Sequence, residues 1–176
     1  MARTRDRIFA GLGALLFFGS ACALTVAVIW QANQGGSTPS PTAANTCTDS
    51  STYPALPVPE AYKVATKVDS LQSTDLEVGS GAEAKAGDCL IVKYYGTLAS
   101  DGTKFDENFT TTTAFAFTLG NGSVISGWDQ GLIGMKAGGL RRLVIPASLA
   151  YGSQANGAIP ANADLVFNVK LEKIKG

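Results

Sequence analysis

The sequence contains no histidine. That absence excludes Ser-His-Asp triads, histidine-ligated zinc and the imidazole base that serves most acid–base chemistry near neutral pH. Neither sign of charge is in excess, since 14 Lys and Arg balance 14 Asp and Glu. Arg3, Arg5 and Arg7 stand at the extreme N-terminus, so no basic face remains to bind nucleic acid by counterion release. Cysteine is scarce: Cys22, Cys47 and Cys89 are too far apart for a Cys-x-x-Cys metal or redox site. No metal and no cofactor is therefore expected. A length of 176 residues suits one compact domain with appendages, and nothing demands more than a monomer.

An uncharged run extends from Ile8 to Trp30. At about 1.5 Å rise per residue its 23 residues reach across a hydrocarbon core of roughly 30 Å, so residues 8–30 are expected to form a transmembrane anchor. Arginines before the run, and no charge after it until Asp49, place residues 1–7 in the cytoplasm and the rest of the chain outside the membrane. Two other fates fit the same residues: cleavage near Ala21-Cys22-Ala23, which would secrete the chain, and lipid attachment at Cys22. The apolar continuation through Val26, Val28 and Ile29 favours the uncleaved anchor.

Residues 31–66 read as a flexible linker. As far as Pro59 they are mostly Ser, Thr, Pro, Ala and Asn, with too few large apolar side chains to offset the entropy of ordering. Residues 61–68 carry neither strand nor helix periodicity. Cys47 and Cys89 would both face an extracytoplasmic compartment, where they either pair, tying linker to domain, or remain thiols with Cys89 partly buried in a strand.

From Leu71 onward short β-type runs alternate with Gly and Asp. Residues 89–98 are rich in β-branched and aromatic types, and Ser100-Asp101-Gly102-Thr103 supplies a turn before Lys104-Phe105-Asp106. Phe115, Phe117 and Leu119 share one face of a strand, and Leu140–Ile145 supplies another. Leu165, Phe167, Val169 and Leu171 alternate with Val166, Asn168, Lys170 and Glu172, which predicts one buried face and one largely wet. A single short helix is expected, with Ser126 as its cap, Asp129 at the third helical position and Gly134 to end it. Arg141-Arg142 reads as a solvated strand face. Asn108-Phe109-Thr110 and Asn121-Gly122-Ser123 match glycosylation acceptors.

Seven motifs then follow in order: V-K-Y-Y-G (92–96), D-G-T-K-F-D (101–106), F-A-F-T-L-G (115–120), V-I-S-G-W-D-Q-G-L-I-G-M (124–135), R-R-L-V-I-P (141–146), L-A-Y-G (149–152) and I-P-A-N-A-D-L-V-F-N-V-K-L (159–171). In this order and spacing, over roughly residues 73–176, the chain resembles the FKBP family of peptidyl-prolyl cis-trans isomerases, the macrolide-binding immunophilins. The resemblance implies an α+β domain over residues 67–176, a twisted antiparallel β-sheet wrapped around one short α-helix. It implies Tyr94, Asp106, Ile125 and Tyr151 as catalytic residues, and Phe105, Phe115, Val124, Trp128, Ile159 and Phe167 as substrate-binding residues. Trp128 would lie under a proline ring between Tyr94, Phe115 and Phe167, while the Ile125 N–H and Tyr151 hydroxyl would hold substrate carbonyls. Asp106 would face the carbonyl side or order Tyr94 by accepting its hydroxyl.

By the same resemblance the partners are proline-containing polypeptides and macrolides, and the activity is X-Pro isomerisation; the anchor would make the clients extracytoplasmic. The alternative is a binding module that holds proline segments without turnover. Two departures stand out. Residues 107–114 contain no Lys or Arg, where the family often places a basic partner for the aspartate, so Asp106 is expected to be less firmly held. The loop 153–158 is short and ends in Ala158, which predicts a more open mouth on that side.

Overall fold

The computed structural model describes residues 47–175; the expected anchor, residues 8–30, and the expected linker as far as residue 46 lie outside the described residues. Among the described residues no helix is long and apolar enough to cross a membrane. The β-branched and aromatic run of Cys89–Leu98 forms a long inner strand, β2, after β1 (Gln72–Glu77). Then come β3 (Lys104–Glu107), β4 (Phe115–Thr118), α1 (Ser126–Gly131), β5 (Leu140–Ile145), a 3-10 turn (Ala147–Leu149) and β6 (Leu165–Lys175).

All pairings are antiparallel, in the order β1-β5-β6-β2-β3. The outer edge of β2 is shared, because β4 pairs with Cys89–Val92 and β3 with Tyr95–Thr97. Between these two partners the amide of Asn108 substitutes for a strand. Its Oδ1 accepts from Tyr94 N at 2.6 Å, its Nδ2 donates to Val92 O at 3.4 Å, and its N–H donates to Tyr94 O at 3.0 Å. Asn108 is thus committed to holding β2, and modification of its amide would break that hold.

One face of the sheet buries Leu90, Val92, Leu98, Leu143, Ile145, Leu165, Phe167, Val169 and Leu171 beneath α1. The helix approaches β5 closely because Gly127 and Gly131, one turn apart, face it. A Cβ on Gly127 would collide with Ile145, and one on Gly131 would lie 2.7 Å from Leu143 Cδ2. Ser126 does not cap this helix. Ile125 occupies the N-cap position with extended backbone and, being apolar, makes no side-chain bond, while Asp129 turns its carboxylate back to the preceding loop. There it accepts from Gly120 N at 2.7 Å and Gly122 N at 3.0 Å. The helix ends at Gly131, and Gly134 adopts φ 74° in the following turn.

Arg141 and Arg142 point to opposite faces, as adjacent strand residues must. Arg141 is buried, not solvated: Nε and Nη2 grip Asp75 at 2.6 and 3.0 Å, while Nη1 caps the end of α1 by donating to Gly131 O and Ile133 O. Arg142 lies 4.2 Å from the centre of the Tyr62 ring and donates to Asn168 Oδ1.

The face of β6 expected to be wet is also covered. Val166 and Asn168 are buried, and Val166 joins Val68, Ala99 and Val144 in a second apolar cluster. The cover is residues 47–68, a strap without regular secondary structure. Of the expected linker 31–66, the described part, 47–66, therefore lies along the domain. Composition undercounts such a segment because its backbone groups pair with loops: Tyr53 N with Thr112 O, Leu56 N with Phe109 O, and Val64 N with Ala99 O. A Cys47–Cys89 disulfide fastens its start to β2, and Lys175 bonds Asp49 at 3.2 Å. Tyr53 donates to Asp49, which holds that carboxyl well below the usual range, while burial and this bond push the Tyr53 phenol up to about 12.

Lys93 is fully buried on this face, donating from Nζ to the carbonyls of Pro54, Thr111 (2.7 Å) and Phe109 (3.3 Å). A charged donor without such partners would not remain buried. Lys93→Met leaves these carbonyls without their common donor, and unfolding free energy is expected to fall by about 2–4 kcal/mol, measured as a lower denaturant midpoint. An unchanged midpoint would show that strap docking does not depend on the ammonium.

Candidate active site

Each strand next to β2, and the loop before α1, delivers between one and three residues to a single cleft of about 220 Å³. Tyr94 comes from β2, Phe105 and Asp106 from β3, Phe115 from β4, and Phe167 from β6. Ser123, Val124 and Ile125 line it from the loop before α1, Trp128 from the helix itself, and Tyr151 from the segment after the 3-10 turn. Nine of the ten residues named from sequence thus meet in one place. Ile159 does not line the cleft: its N–H and C=O pair with Asn156 across a tight turn that sends the side chain into the core, where it is 6% exposed. Ser123 was not foreseen; its signal was adjacency to Val124.

Trp128 is the hub of the apolar part. Its ring lies 5.2 Å from Phe167, 5.4 Å from Tyr94, 5.6 Å from Phe117 and 6.3 Å from Phe115, mostly edge to face. Such pairs contribute about 0.5–1.5 kcal/mol each beyond their burial, so the floor is stiff. Phe117 belongs to the core and stacks on Phe115, which is 40% exposed at the mouth. Gly96 makes the wall possible, because a Cβ there would lie 2.8 Å from ring atoms of both Phe105 and Phe167.

Polar groups are few. Asp106 accepts from the Tyr94 hydroxyl at 2.7 Å and from Glu107 N at 2.9 Å. With no basic neighbour it is held by a phenol and an amide instead, since Lys104 pairs with Glu107 at 3.7 Å. Burial first, then the bond to Asp106 and its charge, push the Tyr94 phenol far above its ordinary value. Among the described residues the Tyr151 hydroxyl and the Ile125 N–H form no hydrogen bond, and the buried Trp128 Nε1–H has no partner. The one cleft-lining hydroxyl beside a carboxylate is that of Tyr94, and its raised phenol stays protonated there. The cleft can therefore surround an apolar ring and donate hydrogen bonds to carbonyls, but it has no means of covalent attack.

The family model for FKBP-type peptidyl-prolyl cis-trans isomerases matches residues 80–172, more than half of the chain. The chain belongs to that family. FK506-binding protein 2B of Rhizopus delemar is 47% identical over 124 residues, covering 64% of this chain and 59% of the fungal protein. A peptidyl-prolyl cis-trans isomerase of Saccharomyces cerevisiae is 50% identical over 101 residues, covering 57% of this chain and 24% of the yeast protein. The chain spans between about a quarter and three fifths of the length of these relatives. Among solved structures, AtFKBP13 superposes with a TM-score of 0.55 at 34% identity, over 60% of this chain and 93% of its own. FkpA from Escherichia coli gives 0.54 at 42% identity, over 60% and 48%.

The FKBP fold of this chain carries a pH signature. A phenol whose folded value is raised contributes stability that is fully present below the ordinary tyrosine value of about 10 and is lost as pH rises from there toward the folded value. Absorbance titration should show one tyrosine ionising later even than Tyr53, and Tyr94→Phe should remove it. Loss of a different, early-titrating phenol would contradict the Tyr94–Asp106 bond.

Proposed function

We propose that this chain is a prolyl cis-trans isomerase that twists X-Pro bonds without covalent chemistry. One observation carries the reading: a stiff aromatic floor lies beside two hydrogen-bond donors, Ile125 N–H and Tyr151 O–H, that have no partner among the described residues. Rotation about an amide C–N bond meets a barrier of roughly 18–20 kcal/mol because resonance keeps it planar. That resonance puts negative charge on oxygen, which water stabilises; the twisted transition state has lost much of it. An apolar cleft that withdraws water thus disfavours the planar form relative to the twisted one, and about 1.36 kcal/mol of such preference is a tenfold rate increase.

In this reading Trp128 supports the proline ring between Tyr94, Phe115 and Phe167. Ile125 N–H and Tyr151 O–H hold carbonyls on either side of the bond, so that one part of the peptide is fixed while the other turns. Asp106 acts by fixing the Tyr94 ring. Macrolides with an apolar ring and adjacent carbonyls would compete for the same cleft.

The clients are proposed to be extracytoplasmic polypeptides, met by a domain that an anchor at residues 8–30 holds at the outer membrane surface. The uncharged run, the arginines before it and a disulfide, which persists in oxidising compartments, support this placement. Protease added to intact spheroplasts should then release residues 47–175 from the membrane fraction, and full protection would remove the placement.

For the activity, the full chain should accelerate cis-to-trans conversion across a series of X-Pro peptides. Tyr151→Phe is expected to lower kcat/KM about 5–10-fold, the worth of roughly one hydrogen bond, and Trp128→Leu more. No acceleration in the wild type, with peptide or macrolide still bound, would replace the isomerase with a proline-binding module.

A further inference from the structure

Tyr151 hangs on a segment with no strand partner. The 3-10 turn Ala147–Leu149 that leads to it begins after Pro146, which offers no side-chain cap, so the N–H of Ala147 needs a partner from elsewhere. Asp164, at the entrance to β6, supplies it: Oδ1 accepts from Ala147 N at 2.9 Å. The same short stretch holds the far side of Tyr151. Gly152 N donates to Ala147 O at 2.8 Å, and Gly152 O accepts from Asn162 N at 2.7 Å. Asn162, two residues before Asp164, adopts the left-handed φ of 59°.

Asp164 is itself fixed. Its Oδ2 accepts from Val68 N, the last turn of the strap, at 2.9 Å, and its carbonyl accepts from Ala99 N. Because the Tyr151 hydroxyl has no hydrogen bond of its own among the described residues, its location depends on the backbone that Asp164 secures. Asp164 does not line the cleft.

We propose that Asp164 is a positioning residue for the reaction, setting Tyr151 where its hydroxyl meets the substrate carbonyl and linking that loop to the strap through one carboxylate. The inference rests on the isomerase reading, and its test separates the two. Asp164→Asn replaces one of two acceptors with a donor. Ala147→Pro breaks the same bond from the other partner, since it deletes the N–H and turns the ring Cδ toward Asp164 Oδ1. Proline is tolerated at the first helical position, and Pro146 already has the extended backbone (φ −66°, ψ 151°) that a following proline requires.

Each substitution is made in the full chain, in the wild-type and Tyr151→Phe backgrounds, with kcat/KM and thermal midpoint measured together. A third readout, the 19F resonance of fluorotyrosine at Tyr151, is independent of activity. Asp164→Asn and Ala147→Pro are each expected to lower kcat/KM about 5–10-fold with Tyr151 present and less than 2-fold with Tyr151→Phe. The Tyr151 resonance should shift or split in both variants. Equal losses in the two backgrounds, or a lower midpoint with kcat/KM and the resonance unchanged, would overturn the positioning role and leave Asp164 a structural residue. If the wild type does not accelerate conversion at all, the isomerase reading fails, and the resonance alone then decides: unmoved in both variants, it overturns the positioning of Tyr151 as well.

Discussion

Strand β2 is paired along both edges and covered on both faces, and most of the architecture answers that burial. One row of its side chains, Leu90, Val92, Tyr94 and Leu98, enters the core and the cleft beneath α1. The other row includes Ile91 and Lys93, both fully buried, so a second layer must exist on the far side. A segment without strands or helices supplies it. Such a cover works only if every buried backbone group and the one buried ammonium find partners, and the carbonyls of Pro54, Phe109 and Thr111 converge on Lys93 for that reason.

Close approach is the second constraint. An aromatic floor can be stiff only where rings touch, and three glycines remove the Cβ atoms that would hold them apart: Gly96 under Phe105 and Phe167, and Gly127 with Gly131 where α1 meets β5. The helix is short, yet its position is determined at both ends, by Asp129 reaching back to the loop before it and by Arg141 capping its last carbonyls. Trp128 therefore has little freedom to move away from the ring it is proposed to support.

The strands were legible in the sequence because period-two patterns and turn residues bounded them, and the ordered motifs brought nine of ten site residues to the cleft. What escaped was whatever depended on a partner distant in sequence. Val166 and Asn168 alternate as an exposed face would, and only the strap, invisible to periodicity, buries them. Ser126 had the chemistry of a cap, but it is the first helical residue, so the apolar Ile125 holds the cap position. Ile159 carried the right motif and is turned inward by its pairing with Asn156. The Arg141-Arg142 pair, by contrast, could have been divided in advance, since neighbours on a strand cannot share an environment.

A pattern joins the site to the rest of the fold. Three aspartates each use both carboxylate oxygens on separate donors: Asp106 on the Tyr94 hydroxyl and Glu107 N, Asp129 on Gly120 N and Gly122 N, Asp164 on Val68 N and Ala147 N. None of the three forms an ion pair among the described residues. Charge-assisted bonds to backbone N–H groups are stronger than neutral ones and need no long flexible cation to be ordered. Each carboxylate secures the approach to one polar group of the cleft: Tyr94 directly, Ile125 through the glycine loop, Tyr151 through the 3-10 turn. The rings come from strands and the helix, where packing sets them. The donors Ile125 N–H and Tyr151 O–H come from loops, and loops hold an orientation only when something fixes their orphan N–H groups, which is the task that Asp129 and Asp164 share while Asp106 fixes a ring on a strand.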